Sequence, residues 1–185
     1  MSSTSQSDRL VLERAEVDRI LERLRTEILA RVGQVGSLVL VGIRRGGVPL
    51  AKALAREIER ETGQAPMLGT LDINLYRDDV GLARAVPKVG PSQIPTHLEG
   101  KEVVLVDDVL HTGRTVRAAI DALHDYGRPS RIWLAVLCDR GGRELPIAAD
   151  FVGKTVEVDP SQKLEVEFDD EGPTGARVTW PPGTP

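Results

Sequence analysis

Two adjacent carboxylates, Asp107 and Asp108, follow the apolar run Val103-Val104-Leu105-Val106, and four residues further on comes Thr112-Gly113-Arg114-Thr115. No other stretch of the chain is as well equipped for chemistry. A helix opening at this loop would aim its first backbone N–H groups at one point. Gly113 would let an anion come close, and Thr112 and Thr115 would add hydroxyl donors. The acids would repel a phosphate set against them. They suit hydrogen bonds from sugar hydroxyls about one sugar away, and could help to hold a magnesium ion. The residue types therefore fit a ribose 5-phosphate, with its phosphate on the loop and its diol on Asp107 and Asp108. The stretch is not a P-loop, since it lacks G-x-x-x-x-G-K-[ST], nor is it the G-x-G-x-x-G dinucleotide fingerprint. The plainer alternative is a strand followed by a helix capped by Asp and Thr. The coincidence of strand, acid pair and T-G-R-T loop counts against it.

Such a site needs a parallel strand to carry the acids and a helix behind the loop. Residues 37–43 and 103–106 are nearly continuous apolar runs, as expected of strands buried on both faces. Residues 67–75 and 132–137 read as two more strands. Helical spacing joins Val17, Ile20, Leu21, Leu24, Ile28 and Val32, in a helix expected from Asp8 to the glycines at 33 and 36. It recurs at Val48, Ala51, Leu54, Ala55 and Ile58, with Pro49 in the first turn, and at Val116, Ala119, Ile120 and Leu123. Alternating strands and helices predict an α/β fold, with a central, mostly parallel sheet flanked by helices and right-handed crossovers. After Cys138 the pattern breaks into short pieces. It ends in an expected hairpin of 163–168 and 176–180 around a turn at 172–175. Residues 77–101, rich in Pro and Gly, are expected to form a flexible lid. One domain over 8–180 is expected, with disordered tails at 1–7 and 181–185.

Composition narrows the function further. Of 185 residues 41% are hydrophobic but only 3% aromatic, so the core must be aliphatic and platforms for stacking nucleic-acid bases are scarce. A net charge of −4 argues against nonspecific polyanion binding over the whole surface, though not against a local basic patch. A single cysteine, Cys138, excludes an intramolecular disulfide and a thiolate-rich zinc site, and His97, His111 and His124 show no ligand spacing. Neither a membrane-length apolar run nor a signal-peptide pattern is present, so a cytoplasmic protein with no membrane partner is expected.

Residues 103–115 resemble the phosphoribosyl-pyrophosphate (PRPP) motif of type I phosphoribosyltransferases. Four further stretches resemble the family of bifunctional pyrimidine-operon attenuation regulators and uracil phosphoribosyltransferases, the PyrR family. They are Leu71-Asp72-Ile73-Asn74-Leu75-Tyr76-Arg77-Asp78-Asp79, Val116-Arg117-Ala118, Gly127-Arg128-Pro129-Ser130, and the run from Asp139-Arg140-Gly141-Gly142-Arg143-Glu144-Leu145-Pro146-Ile147 to Lys154. The likeness extends from about Leu10 to about Phe168. It implies the type I phosphoribosyltransferase fold with a small hood at 139–160 and a C-terminal hairpin. It also implies transfer of ribose 5-phosphate from PRPP to uracil, giving UMP and pyrophosphate, with Mg2+ held mainly by PRPP and by Asp107 and Asp108.

The resemblance assigns residues as well. Asp107 and Asp108 would hold the ribose hydroxyls, and Val109, Leu110, His111, Thr112, Gly113, Arg114 and Thr115 would complete the PRPP and nucleotide site. Arg44, Arg45 and Gly46 take the place of the pyrophosphate loop, where relatives carry Arg at the position of Gly46. Arg77 would stand at the hinge of the closing lid as a catalytic cation. Arg140 and Val156 would meet the uracil. His111 stands where relatives that use 6-oxopurines carry Asp, which leans toward a pyrimidine. A regulatory role is implied too: UMP- or UTP-dependent binding of a leader mRNA stem-loop by a homodimer or tetramer, with Arg31 and Arg143 on the basic surface. Gly142, Ala148 and Thr26 depart from the family's basic positions, and Arg9, Arg14, Arg19, Arg23 and Arg25 offer an alternative basic face. A transferase without RNA binding, or a nucleotide-sensing regulator with little catalysis, are the competing expectations.

Overall fold

The computed structural model describes residues 8–73, 92–95 and 97–181. Five strands form one parallel sheet in the order β3-β2-β4-β5-β6: β2 (Leu38–Ile43), β3 (Met67–Leu71), β4 (Glu102–Leu110), β5 (Arg131–Asp139) and β6 (Phe151–Thr155). Burial on both faces explains the unbroken apolar runs. Alternate residues of β2, β4 and β5 feed two separate cores. Leu38, Leu40, Val104, Val106, Ala135 and Leu137 pack toward α1 (Arg14–Arg31) and α2 (Gly47–Thr62). Val39, Val41, Val103, Leu105, Leu134 and Val136 pack toward α3 (Arg114–Leu123). A second, antiparallel sheet in the order β1-β8-β7 is made by β1 (Arg9–Leu12), β8 (Gly172–Thr179) and β7 (Lys163–Asp169).

Several boundaries differ from those the sequence predicts. The helix expected from Asp8 starts at Arg14, because Arg9–Leu12 pairs with β8 as a strand of only four residues, too short to show a period. It ends at Arg31, before either glycine. The acid pair lies inside β4, since Val109 and Leu110 keep pairing with Cys138 and Asp139. β6 is a fifth parallel strand within the segment expected to be all hood. Its sequence, Phe-Val-Gly-Lys-Thr, has no alternation to betray it. The last hairpin turns at Asp170 and Glu171, with residues 172–175 already in β8, because the Asp169 carboxylate accepts the N–H groups of Glu171 and Gly172. Most of the expected lid, Arg77 included, lies outside the described residues. Its described end is anchored: Gln93 and Thr70 exchange two backbone hydrogen bonds of 2.8 Å, and Leu98 is fully buried.

The connections set where a ligand can enter. From β2 the chain crosses through α2 to β3 on one side, and from β4 it crosses through α3 to β5 on the other, with the two helices on opposite faces. A crevice therefore opens between the carboxyl ends of β2 and β4, where ligands settle in open α/β sheets. The pairing of β2 with β4 ends at Gly42–Val106, one residue before Asp107.

Candidate functional site

Asp107 and Asp108 sit where β4 loses its partner on the β2 side. Successive strand residues point to opposite faces, and the acids do so. Asp107 is 6% exposed and lines a cavity of about 320 Å3 together with Val109, Leu110, His111, Thr112, Gly113, Arg114, Thr115 and Val116. Asp108 turns the other way, against Gly46 of the loop after β2. One oxygen of Asp107 accepts the N–H of Asp108, and one oxygen of Asp108 accepts that of Val109, each at 3.0 Å. These short loops help to fix both carboxylates.

Gly113 stands before α3 in the left-handed region, at φ 91°, which favours glycine. Thr112 Oγ1 accepts the Arg114 N–H at 3.3 Å, so the loop is tightened across the entrance of the helix. The N-terminus of α3 and this loop face the cavity that Asp107 borders, which is the arrangement an anion on the loop and a diol on the acids require.

The hood is laced to that loop. The Thr112 carbonyl accepts the N–H groups of Glu144 and Leu145 at 3.0 and 3.1 Å, and Arg114 pairs with Glu144 at 2.6 Å. The Ile147 and Leu145 side chains lie over Gly113. Arg143, expected on an RNA surface, is part-exposed and turns its guanidinium to partners within the protein. It donates to the carbonyls of Ile147, His111 and Gly141 and to the Asp139 carboxylate, at 2.5–3.2 Å. Arg140 donates to the carbonyls of Gln162 and Asp159, with its Nε buried and without a partner. Val156 belongs to the core beneath, with its N–H on the Asp139 carbonyl. The contributions of Glu144 and Asp139 escape sequence reasoning. Thirty residues of chain separate Glu144 from Arg114, and no spacing rule connects them.

The His111 ring rests on Gly142, whose φ of 71° and missing side chain leave room for it. Partial burial, then the positive charges of Arg140 and Arg143, hold the imidazole below its ordinary pKa, with Glu144 opposing. Arg44 and Arg45 follow β2, where the Arg44 N–H bonds the Leu71 carbonyl. Arg31 lies far from all of these. It stacks on Trp133 at 5.3 Å, with Arg131 at 5.0 Å. Trp133 and Asp139 are six strand residues apart, roughly 20 Å. The structure therefore puts Arg31 and Arg143 at opposite ends of β5. Of the alternative basic face, Arg14 pairs with Asp169, Arg23 with Glu27 and Arg25 with Glu61, while Arg9 donates to the Glu157 carbonyl.

Among the described residues no cluster of three or more His, Cys, Asp or Glu side chains could cage a metal. The two carboxylates suit magnesium, which keeps much of its shell for substrate oxygens and water. Among the described residues, two larger concavities lie elsewhere. One, of about 530 Å3 between α1, α2 and the β7–β8 turn, is lined by charges that pair largely among themselves, such as Arg14 with Glu171 and Arg60 with Glu57. The other, of about 650 Å3, runs along β3. Neither is lined by the acid pair or by the loop before α3.

A family model described as "Phosphoribosyl transferase domain" matches residues 11–170. A "Bifunctional protein PyrR" from Chloroflexus aurantiacus is 52% identical over 162 residues, covering 88% of this chain and 89% of that one. One from Geobacter sulfurreducens is 54% identical over 161 residues, covering 86% and 90%. Among solved structures, a hypoxanthine phosphoribosyltransferase from Trypanosoma cruzi superposes with a TM-score of 0.68 at 19% identity, covering 94% of this chain and 95% of that one. One from Staphylococcus aureus gives 0.63 at 22%, covering 89% and 86%. At these identities the solved structures speak for the fold.

Proposed function

Since the chain belongs to the phosphoribosyl transferase domain family, and within it to the bifunctional PyrR proteins, we propose that one nucleotide site serves two tasks. The first is transfer of ribose 5-phosphate from PRPP to uracil, giving UMP and pyrophosphate. The second is attenuation of pyrimidine-operon transcription through binding of a leader mRNA stem-loop when UMP or UTP fills the site, in a cytoplasmic homodimer or tetramer. The observation that carries this reading is the cavity at the carboxyl end of β4 that Asp107 shares with the Thr112-Gly113 loop, with Asp108 beside it on the opposite face, against the loop after β2.

In the reaction, uracil N1 bonds to C1′ as the bond from C1′ to the pyrophosphate oxygen breaks, the electron pair of that bond leaving with pyrophosphate and the N1 proton passing to the departing pyrophosphate. Positive charge gathers on the sugar ring, so the protein's work is positioning and charge stabilisation. The pentose straddles the end of β4, with Asp107 approaching from one side and Asp108 from the other. Backbone N–H groups of residues 113–115 and the Thr112 and Thr115 hydroxyls hold the 5′-phosphate. Arg44, Arg45 and Gly46 line the place of the leaving pyrophosphate, and Arg140 in the hood reads the pyrimidine. When bound, magnesium neutralises charge on the pyrophosphate, and Asp107 and Asp108 are the side chains that would share it with substrate. Arg77, outside the described residues, is proposed as a further cation at the lid.

Turnover of PRPP with uracil, hypoxanthine, guanine and orotate tests the reading. Activity with uracil alone is expected, and a preference for a purine would overturn the assignment. A transferase without RNA binding is the second reading, favoured by the four internal hydrogen bonds of Arg143 and its distance from Arg31.

A further inference from the structure

We propose that Gly46 is a positioning residue: the side chain it lacks leaves the seat that the Asp108 carboxylate occupies, so the loop after β2 and the acid pair on β4 are set together. This deepens the reading above and rests on Asp108 being a ribose-binding acid. Three glycines, Gly42, Gly46 and Gly47, line the junction between that loop and β4. None has a positive φ, and Gly46 at φ −66° and ψ −29° has a backbone any residue adopts. Conformation therefore does not call for glycine here. Space does.

What fills the space differs among the three. A Cβ on Gly47 would collide with the Val106 carbonyl oxygen and stand 3.1 Å from Asp107 Cα. One on Gly42 would stand 2.6 Å from Val48 Cα and 2.7 Å from the Gly47 carbonyl oxygen. These obstacles are main chain and cannot yield cheaply. On Gly46 a Cβ would overlap the Asp108 carboxylate, with Oδ2 nearest. That obstacle is the end of a side chain held by its own Val109 N–H bond, and it can swing away. A substitution at 46 thus leaves the fold standing and moves the acid. Charge alone would favour an arginine at 46, in a loop that faces a diphosphate. Geometry says the opposite, because the arginine must first evict Asp108.

The test compares wild type with Gly46→Ala, Gly46→Arg, Asp108→Asn, the Gly46→Ala/Asp108→Asn double variant and Gly47→Ala. Readouts are thermal melting, calorimetric titration with UMP and with pyrophosphate, and kinetics with PRPP and uracil. Gly46→Ala is expected to melt within a few degrees of wild type while Gly47→Ala is strongly destabilised. Gly46→Ala should bind UMP about tenfold more weakly and raise the KM for PRPP more than it lowers kcat. Adding Asp108→Asn to it should cost less than about a further twofold, since residues that act as one unit are not additive. Gly46→Arg should bind pyrophosphate no more tightly than wild type. A folded Gly46→Ala with wild-type UMP affinity would overturn the proposal, as would losses that simply multiply in the double variant. If wild type binds UMP without turnover, the transferase reading falls and the UMP titrations still decide the role of Gly46. If it binds neither UMP nor PRPP, both fall.

Discussion

Asp107 and Asp108 are neighbours in sequence with different surroundings, one buried beside the loop at residues 112–115 and one turned to the loop after β2. Their effects should differ accordingly. Hydrogen bonds to a charged group are worth about 1.5–3 kcal/mol, so Asp108→Asn should lower kcat/KM about ten- to a hundredfold, measured with PRPP and uracil. A normal rate would remove Asp108 from the site. His111 carries a second prediction. Burial and the arginines beside it depress its pKa in the folded chain below the ordinary 6.5. As pH falls below about 6.5, the unfolded chain therefore takes up a proton that the folded one resists, and stability declines. Urea unfolding between about pH 7.5 and pH 5 should show this loss in wild type and a smaller one in His111→Asn. Equal slopes would contradict it. At this scale the sequence is informative where chemistry is local: the acids, Gly113 and the threonines announce themselves by type and spacing. The seat of His111 on Gly142 and the Arg143 bond to the His111 carbonyl do not, because those partners come from distant turns of chain. The other Arg143 bonds are local, to Asp139, Gly141 and Ile147, but lie in an irregular stretch where no period sets their spacing.

Among the elements, the hood is held by one side chain more than any other. Arg143 donates four hydrogen bonds that join the end of β5, the loop after β4 and the stretch before Ile147. Removing it leaves the Asp139 carboxylate and three carbonyls short of a donor. Arg143→Ala should cost about 2–3 kcal/mol, or roughly 4–12 °C of melting temperature for a chain of this size, and speed amide exchange over residues 141–147. Unchanged stability and exchange with lost RNA binding would return Arg143 to an RNA surface. Long, buried elements such as β2, α2 and α3 are legible in their periodicity. The ones missed, β1 and β6, have four and five residues and owe their existence to partners far along the chain, which no local pattern encodes. The extension of β4 through the acids is hidden for a related reason. Polar residues end an apolar run, yet the ladder with β5 continues through them.

For the whole molecule, the parallel sheet and its diverging crossovers are what place the acids and the loop in one crevice, and alternating strands and helices announce that architecture in advance. The RNA-binding task belongs to this scale as well. Binding of a leader stem-loop should tighten with UMP and weaken linearly in log–log form with salt, by about one unit of slope per phosphate contact. Arg31→Ala should lower that slope by about one. A filter-binding series showing no UMP dependence would favour the transferase without RNA binding. The central claim, one pentose phosphate held between acid pair and loop, is tested most directly by a crystal structure with UMP. The account predicts the ribose diol within hydrogen-bond distance of the Asp107 and Asp108 carboxylates and the phosphate on residues 112–115. A nucleotide seated elsewhere, or reversed with its base on the loop, would contradict it.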